Sequence, residues 1–269
     1  MTILYAILLG LLQGATEFLP ISSSGHLILA ETFLGVHEAS LAFDVALHLG
    51  TLVSVLIYFR NDFIQMAKAL LDWRARDSEA LLLRGLAVQL VVGTVPAVAA
   101  ALLFGDYIEA TLRHPAVVAV TLAGVGLLLL LGEKMGAHRR GFHSITWWDA
   151  LLVGCAQALA IVPGVSRSGI TMTAGLFRGL NREAVARFSF LLSAPIICGA
   201  GVYKIPDILR QGLEGGQTAF YLAGFLAAAV SGYLFIAFLL RFIRTRTFDV
   251  FAYYRFALAG LVVLSLMLK

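Results

Sequence analysis

Two polar clusters interrupt an otherwise apolar chain, and both hold side chains able to do chemistry. They are Glu17-Phe-Leu-Pro-Ile-Ser-Ser-Ser-Gly-His26, preceded by Gln13, and Pro163-Gly-Val-Ser-Arg-Ser-Gly-Ile-Thr171. In the second, Arg167 offers a planar fork suited to phosphate oxygens. Ser166, Ser168, Thr171 and the amides opening a following helix add donors at a positive dipole end. This is an anion cradle, but it lacks the lysine and spacing of a P-loop, which disfavours nucleotide hydrolysis. The first cluster places Gln13 and Glu17 four residues apart on one helix face. Glu17 can act as base or metal ligand, His26 can protonate a leaving group, and Ser22 or Ser23, with Ser24 beside them, can serve as nucleophile or donor. These are parts for phosphoryl transfer. Plainer roles are open to the same residues: Glu17 and Arg167 as a structural ion pair, the serines as helix caps, and His26 as a satisfied buried histidine.

The elements that must position these groups are membrane helices. Of 269 residues 60% are apolar and only 13% charged, and the mean hydropathy is +0.89. Soluble domains average about 45–50% and 25%, so a water-soluble protein is excluded. Six apolar runs suit full crossings: Phe43 to Phe59, Gly85 to Phe104, Pro115 to Gly132, Phe188 to Tyr203, Thr218 to Leu240 and Val250 to Leu268. They are continuous and lack the alternation of outer-membrane strands. The net charge of +4 resides mostly in short loops, where it signals orientation, and no nucleic-acid partner is expected. The first apolar stretch has no charged leader or small-residue cleavage site, so it is expected to be retained. Cys155 and Cys198 lie in apolar stretches and are expected as small buried hydrophobes.

Each polar cluster combines proline, glycine and serines, which break a helix. Such backbone survives at membrane depth only when buried in protein or lining an aqueous cavity. Residues Ile3 to Glu17 would reach only ~22 Å as a helix, too short for a comfortable crossing. Each cluster is therefore expected at the tip of a re-entrant helix-loop-helix, residues 3–35 and 148–180. A shift of 144 superposes Gly10 on Gly154, Gln13 on Gln157, Ser22 on Ser166, Ser24 on Ser168 and Gly25 on Gly169. A shift of 145 then places Phe43 on Phe188, Leu47 on Leu192 and Tyr58 on Tyr203. The expected fold is an all-α polytopic membrane protein, one domain over 1–269, with repeat one at 1–132 and repeat two at 145–269. Three crossings per half make the second copy inverted, so that the broken helices meet near the midplane. With both hairpins re-entrant, fifteen of the 20 lysines and arginines share one face, four take the other, and Arg167 lies in the second break. With both hairpins crossing, the division is 11 against 8. The positive-inside rule prefers re-entry and puts both termini outside.

The run Gln13-Gly-Ala-Thr-Glu17 with Phe-Leu-Pro-Ile-Ser-Ser-Ser-Gly-His26 resembles the acidic first motif of bacterial undecaprenyl-diphosphate phosphatases of the bacitracin-resistance type. Pro163 to Thr171 resembles their second motif, and the resemblance spans essentially the whole chain. It implies hydrolysis of undecaprenyl diphosphate to the monophosphate, the lipid carrier of peptidoglycan synthesis, in the bacterial inner membrane with the site open to the outer face. By position it makes Glu17, Ser23, His26 and Arg167 catalytic, and puts Ser166 and Thr171 on hydroxyl positions of the second motif. Gln13, Ser22, Ser24 and Ser168 complete the expected substrate-binding set. The family depends on a divalent cation, usually Mg2+ or Ca2+, with Glu17 the natural ligand. The family's first position is glutamate or glutamine, and Gln13 withholds a second carboxylate here. Asp44 is either an assisting carboxylate or the mark of a helix interface.

The rival reading is a carrier or flippase for polyprenyl phosphate or another anion, because inverted repeats with broken helices are a transporter layout. Glycines and alanines scattered through the crossings allow close helix packing, which permits a homodimer.

Overall fold

The computed structural model describes residues 2–34, 41–72, 74, 77–210 and 216–268, which are mostly helical and contain no strand. Residue 35, where the first hairpin was expected to end, and the terminal residues 1 and 269 lie outside the described residues. The helices are α1 (Ile3–Phe18), α2 (Ser23–Leu34), α3 (Leu41–Tyr58), α4 (Arg60–Leu71), α5 (Ser78–Leu112), α6 (Pro115–Met135), α7 (Trp147–Ala158), α8 (Arg167–Phe177), α9 (Arg182–Leu209), α10 (Thr218–Phe242) and α11 (Asp249–Met267). Five of them, α5, α6, α9, α10 and α11, are long and apolar enough to cross a membrane, and α3 with α4 makes a sixth if that pair, bent by 75°, is one span. This is a polytopic membrane protein.

The six apolar runs fall in α3, α5, α6, α9, α10 and α11, to within a residue at their ends. Between Phe59 and Gly85 the sequence reading has no helix, yet α4 forms there. It buries only Met66 and Ala69 and carries charge on its other faces, so no continuous apolar run marks it. The cysteines also depart from expectation: Cys155 and Cys198 are both exposed. A thiol on a lipid-facing helix surface stays in an apolar medium without being packed in the core, which composition cannot distinguish from burial.

Packing ties the two halves of the chain to each other. Helix α1 lies along α10 and α7 lies along α5, while α3 packs on α9 and α6 on α11. The first two contacts require glycine. A Cβ on Gly10 would stand 2.4 Å from the Gly224 carbonyl oxygen of α10, and one on Gly154 would stand 2.4 Å from the Gly93 oxygen of α5. At these separations the backbones themselves touch. The core between them is aliphatic and aromatic, with Phe18 of α1 edge-on to Phe190 of α9 at 5.3 Å between ring centres.

Candidate active site

Two breaks, between α1 and α2 and between α7 and α8, supply the site. The first helix ends at Phe18 before Pro20, and the chain turns through Ser22 at φ +78°. After Ala158 a single 3-10 turn precedes Pro163, and the chain turns through Ser166 at φ +71°. A left-handed conformation at a non-glycine residue is strained, and both serines are held in it by capping: Ser22 Oγ accepts from the Gly25 amide at 3.2 Å and Ser166 Oγ from the Gly169 amide at 3.1 Å. Ser24 and Ser168 stand against these caps, at 3.4 and 3.3 Å.

Glu17 is the hub. Its Oε1 accepts from Arg167 Nη2 at 2.7 Å, across the gap between the two breaks. Its Oε2 accepts from Ser23 Oγ at 2.7 Å and from Gln13 Nε2 at 3.1 Å. The carboxylate is buried, so a charge-assisted contact is stronger there than in water. Arg167 is steadied from behind by Nη1 donating to the Ser189 carbonyl at 2.9 Å. The structure thus brings Gln13, Glu17, Ser23 and Arg167 together. It gives Ser22 and Ser166 capping bonds, and it points the Thr171 hydroxyl at the Arg167 carbonyl and at Ser189 Oγ, both at 2.7 Å. His26 is turned elsewhere. Its Nδ1 donates to the Ser22 carbonyl at 2.7 Å, which leaves Nε2 to accept from the Tyr254 hydroxyl at 2.7 Å.

Sequence reasoning missed three neighbours. His48 of α3 donates from Nδ1 to the Asp44 carbonyl at 2.8 Å and presents Nε2 to Glu17 Oε2 at 3.5 Å. Tyr254 of α11 orients His26. The charge count includes Arg255 among the fifteen basic residues of one face, yet it is fully buried between the breaks; that face keeps its excess without it. All three are polar residues inside apolar runs, which is the signal that could have singled them out. Asp44 pairs with Arg113 at 3.6 Å, so it marks an interface, and the two help line a cavity of about 260 Å³ whose walls include Ser24, His48 and Pro163.

The model of the family described as bacitracin resistance protein BacA matches residues 6–261. The chain belongs to that family. Relatives agree along its length. It is 48% identical over 270 residues to a protein of Rubrobacter xylanophilus, covering 99% of each chain. It is 45% identical to one of Pelobacter propionicus, covering 98% of this chain and 97% of the relative. With one of Gemmatimonas aurantiaca the identity is 47%, covering 98% of each. All three are named undecaprenyl-diphosphatase. Both breaks lie inside the region the BacA model matches.

Proposed function

We propose that this chain hydrolyses undecaprenyl diphosphate to undecaprenyl phosphate and inorganic phosphate, returning the lipid carrier to peptidoglycan synthesis and conferring bacitracin resistance. The observation that carries the reading is the clamp on Glu17. One carboxylate oxygen holds the Arg167 guanidinium and the other holds the Ser23 hydroxyl. Base, nucleophile and phosphate-binding group therefore meet in one buried contact. Ser23 Oγ attacks the terminal phosphorus and its proton passes to Glu17. The bond from that phosphorus to the bridging oxygen breaks, and the departing undecaprenyl phosphate takes the electron pair and then the proton. Water attacks the phosphoserine in turn, Glu17 accepts its proton, and the Ser23 oxygen leaves and is reprotonated. Arg167, with the amides opening α8, holds the charge that builds on the phosphoryl oxygens. His26 in this geometry has Nε2 as an acceptor, so its contribution is to pin the strained Ser22 turn. The cavity beside His48 is the way by which the headgroup reaches Glu17.

A divalent cation, Mg2+ or Ca2+, fits the donors present. Gln13 Oε1 is buried with no hydrogen-bond partner, on the amide whose nitrogen already bonds Glu17, and with the Glu17 carboxylate and Ser23 hydroxyl it makes a set of hard oxygen donors. Among the described residues no three His, Cys, Asp or Glu side chains could hold a metal alone, so the diphosphate would complete the shell. When bound, the cation would offset the charge of the diphosphate.

The proposal extends to topology: two re-entrant hairpins, an inverted repeat over 1–132 and 145–269, termini outside and the site open to the outer face. The charge asymmetry of the loops supports it, as does the exchange by which α1 packs on α10 while α7 packs on α5. A homodimer completes it, supported by Gly124, Gly199 and Gly260, at which an added Cβ would find open space among the described residues.

The test is to incubate purified protein in detergent with undecaprenyl diphosphate labelled on its terminal phosphate. Phosphate release and label trapped on Ser23 are expected, both lost in Ser23→Ala. Release that persists in Ser23→Ala would assign the attack to water activated by Glu17. Transport of the lipid without release would favour the carrier reading.

A further inference from the structure

We propose that Arg255 is the positioning residue that sets the two breaks against each other, so that Arg167 meets Glu17. The inference rests on the phosphatase reading of that pair. Arg255 is fully buried, no carboxylate pairs with it among the described residues, and all of its hydrogen-bond partners are backbone carbonyls. Nη1 donates to Pro20 of the first break at 3.2 Å. Nη2 donates to Gly164 and Val165 of the second break at 2.9 and 3.1 Å. Nε and Nη2 donate to Leu122 and Thr121 of α6 at 3.0 and 3.1 Å. Pro20 and Gly164 are counterparts in the two repeats, 144 residues apart, so one guanidinium ties the same carbonyl of both copies.

Carbonyls in broken helices have lost their helical donors, and at membrane depth each must find another. A guanidinium presents donors in several directions at once, whereas a lysine ammonium is a single point. The consequence for the site follows from the spacing. Pro20 lies three residues from both Glu17 and Ser23, and Gly164 lies three from Arg167. Among the described residues one other hydrogen bond joins the breaks directly besides the Glu17 pair, from Ser168 Oγ to the Leu19 carbonyl at 3.1 Å. A displacement of ~1 Å between reacting groups costs about 100-fold in rate.

The experiment is a double-mutant comparison of Arg255→Lys in wild-type and Arg167→Lys backgrounds, by phosphate release in detergent. Arg255→Lys should lower kcat by about 100-fold while leaving KM within about twofold. Since it acts through Arg167, it should cost nothing further where Arg167 is already lysine. A merely structural role would multiply the losses in both backgrounds, and that result, or normal kcat in a folded Arg255→Lys, would overturn the proposal. If Arg255→Lys does not fold, Thr121→Val replaces it. This isosteric change removes the bond from Thr121 Oγ1 to the Pro163 carbonyl at 2.7 Å, loosens the second break alone, and should show the same non-additivity with a smaller loss. A readout independent of turnover is the spin-label distance between exposed Leu11 of α1 and Phe177 of α8, each changed to cysteine with Cys155 and Cys198 changed to serine. The distribution should be narrow with Arg255 and broad with the lysine, and equal widths would sink the proposal. Failure of the wild type to release phosphate would strike the phosphatase reading alone and leave the distance measurement to decide this one.

Discussion

The two breaks share a backbone and differ in chemistry. Both turn through a left-handed serine, Ser22 or Ser166, both cap the next helix with that serine, and both follow a buried glutamine, Gln13 or Gln157. Where they differ, at the same shift of 144, the first has Glu17, Ser23 and His26 and the second has Ile161, Arg167 and Ile170. The shared features are what any such turn needs at membrane depth, namely strain held by a cap and backbone groups satisfied. The differing ones carry the charge. Neither copy is a site alone, because the acid and hydroxyl come from one and the guanidinium from the other. The entries differ too. Helix α7 is anchored by Asp149, whose carboxylate takes Arg140 at 2.5 Å and Arg178 at 2.7 Å and closes a capping box with Thr146. Among the described residues helix α1 is capped by Thr2, whose Oγ1 lies 3.4 Å from the Tyr5 amide.

The largest effect should come from removing the acid found in one break only. Glu17→Gln is expected to lower phosphate release by about 10²–10⁴-fold, the usual worth of a positioned general base. Near-normal turnover would mean that the difference between the breaks is not where the chemistry lies. Next comes the guanidinium of the other break. Arg167→Lys keeps the charge but loses the fork, and kcat should fall about 10²–10³-fold, as for loss of one transition-state donor. An unchanged kcat would reduce the second break to scaffold.

The smallest effect concerns the anchors. Asp149→Asn should cost about 1.5–3 kcal/mol, the range for hydrogen bonds to a charged group, seen as a lower Tm in detergent with kcat retained. Burial pushes the Asp149 carboxyl up, but the bonds from Arg140, Arg178 and Thr146 outweigh it and hold the group well below the usual carboxylate range. Its contribution is therefore complete above an unfolded pKa of ~4 and is lost as pH falls from there through the folded value. The Tm of the wild type should drop over that acid window more than that of Asp149→Asn. Parallel curves would show that the second hairpin is not tied down in this way.

Much of this was legible in the chain. Apolar runs mark the long helices because hydropathy is a local property, and Pro20, Pro163, Gly164 and the serines mark the breaks because they act on their own backbone. Glu17 and Arg167 stood out because isolated charges in such runs require a reason. Helix α4 was hidden because an amphipathic surface helix has no continuous apolar run. Arg255 was misplaced because charge counting assigns a residue to the nearest membrane face. Its burial depends on α11 docking against α6 and both breaks. Cys155 and Cys198 were placed inside because composition does not say which side of a helix meets lipid. His48 and Tyr254 lie outside the motifs, on α3 and α11, helices that reach the site only by packing.

The sequence by itself determined that this is a helical membrane protein, where its helices are interrupted, and which charged groups stand at the interruptions. All of these follow from transfer energies and backbone restrictions that act within a few residues. Which group meets which was decided only by the tertiary structure. Glu17 and Arg167 are 150 residues apart in the chain, and the energy that brings them together is spread over helix packing and the carbonyls gathered by Arg255, contacts that no local pattern encodes.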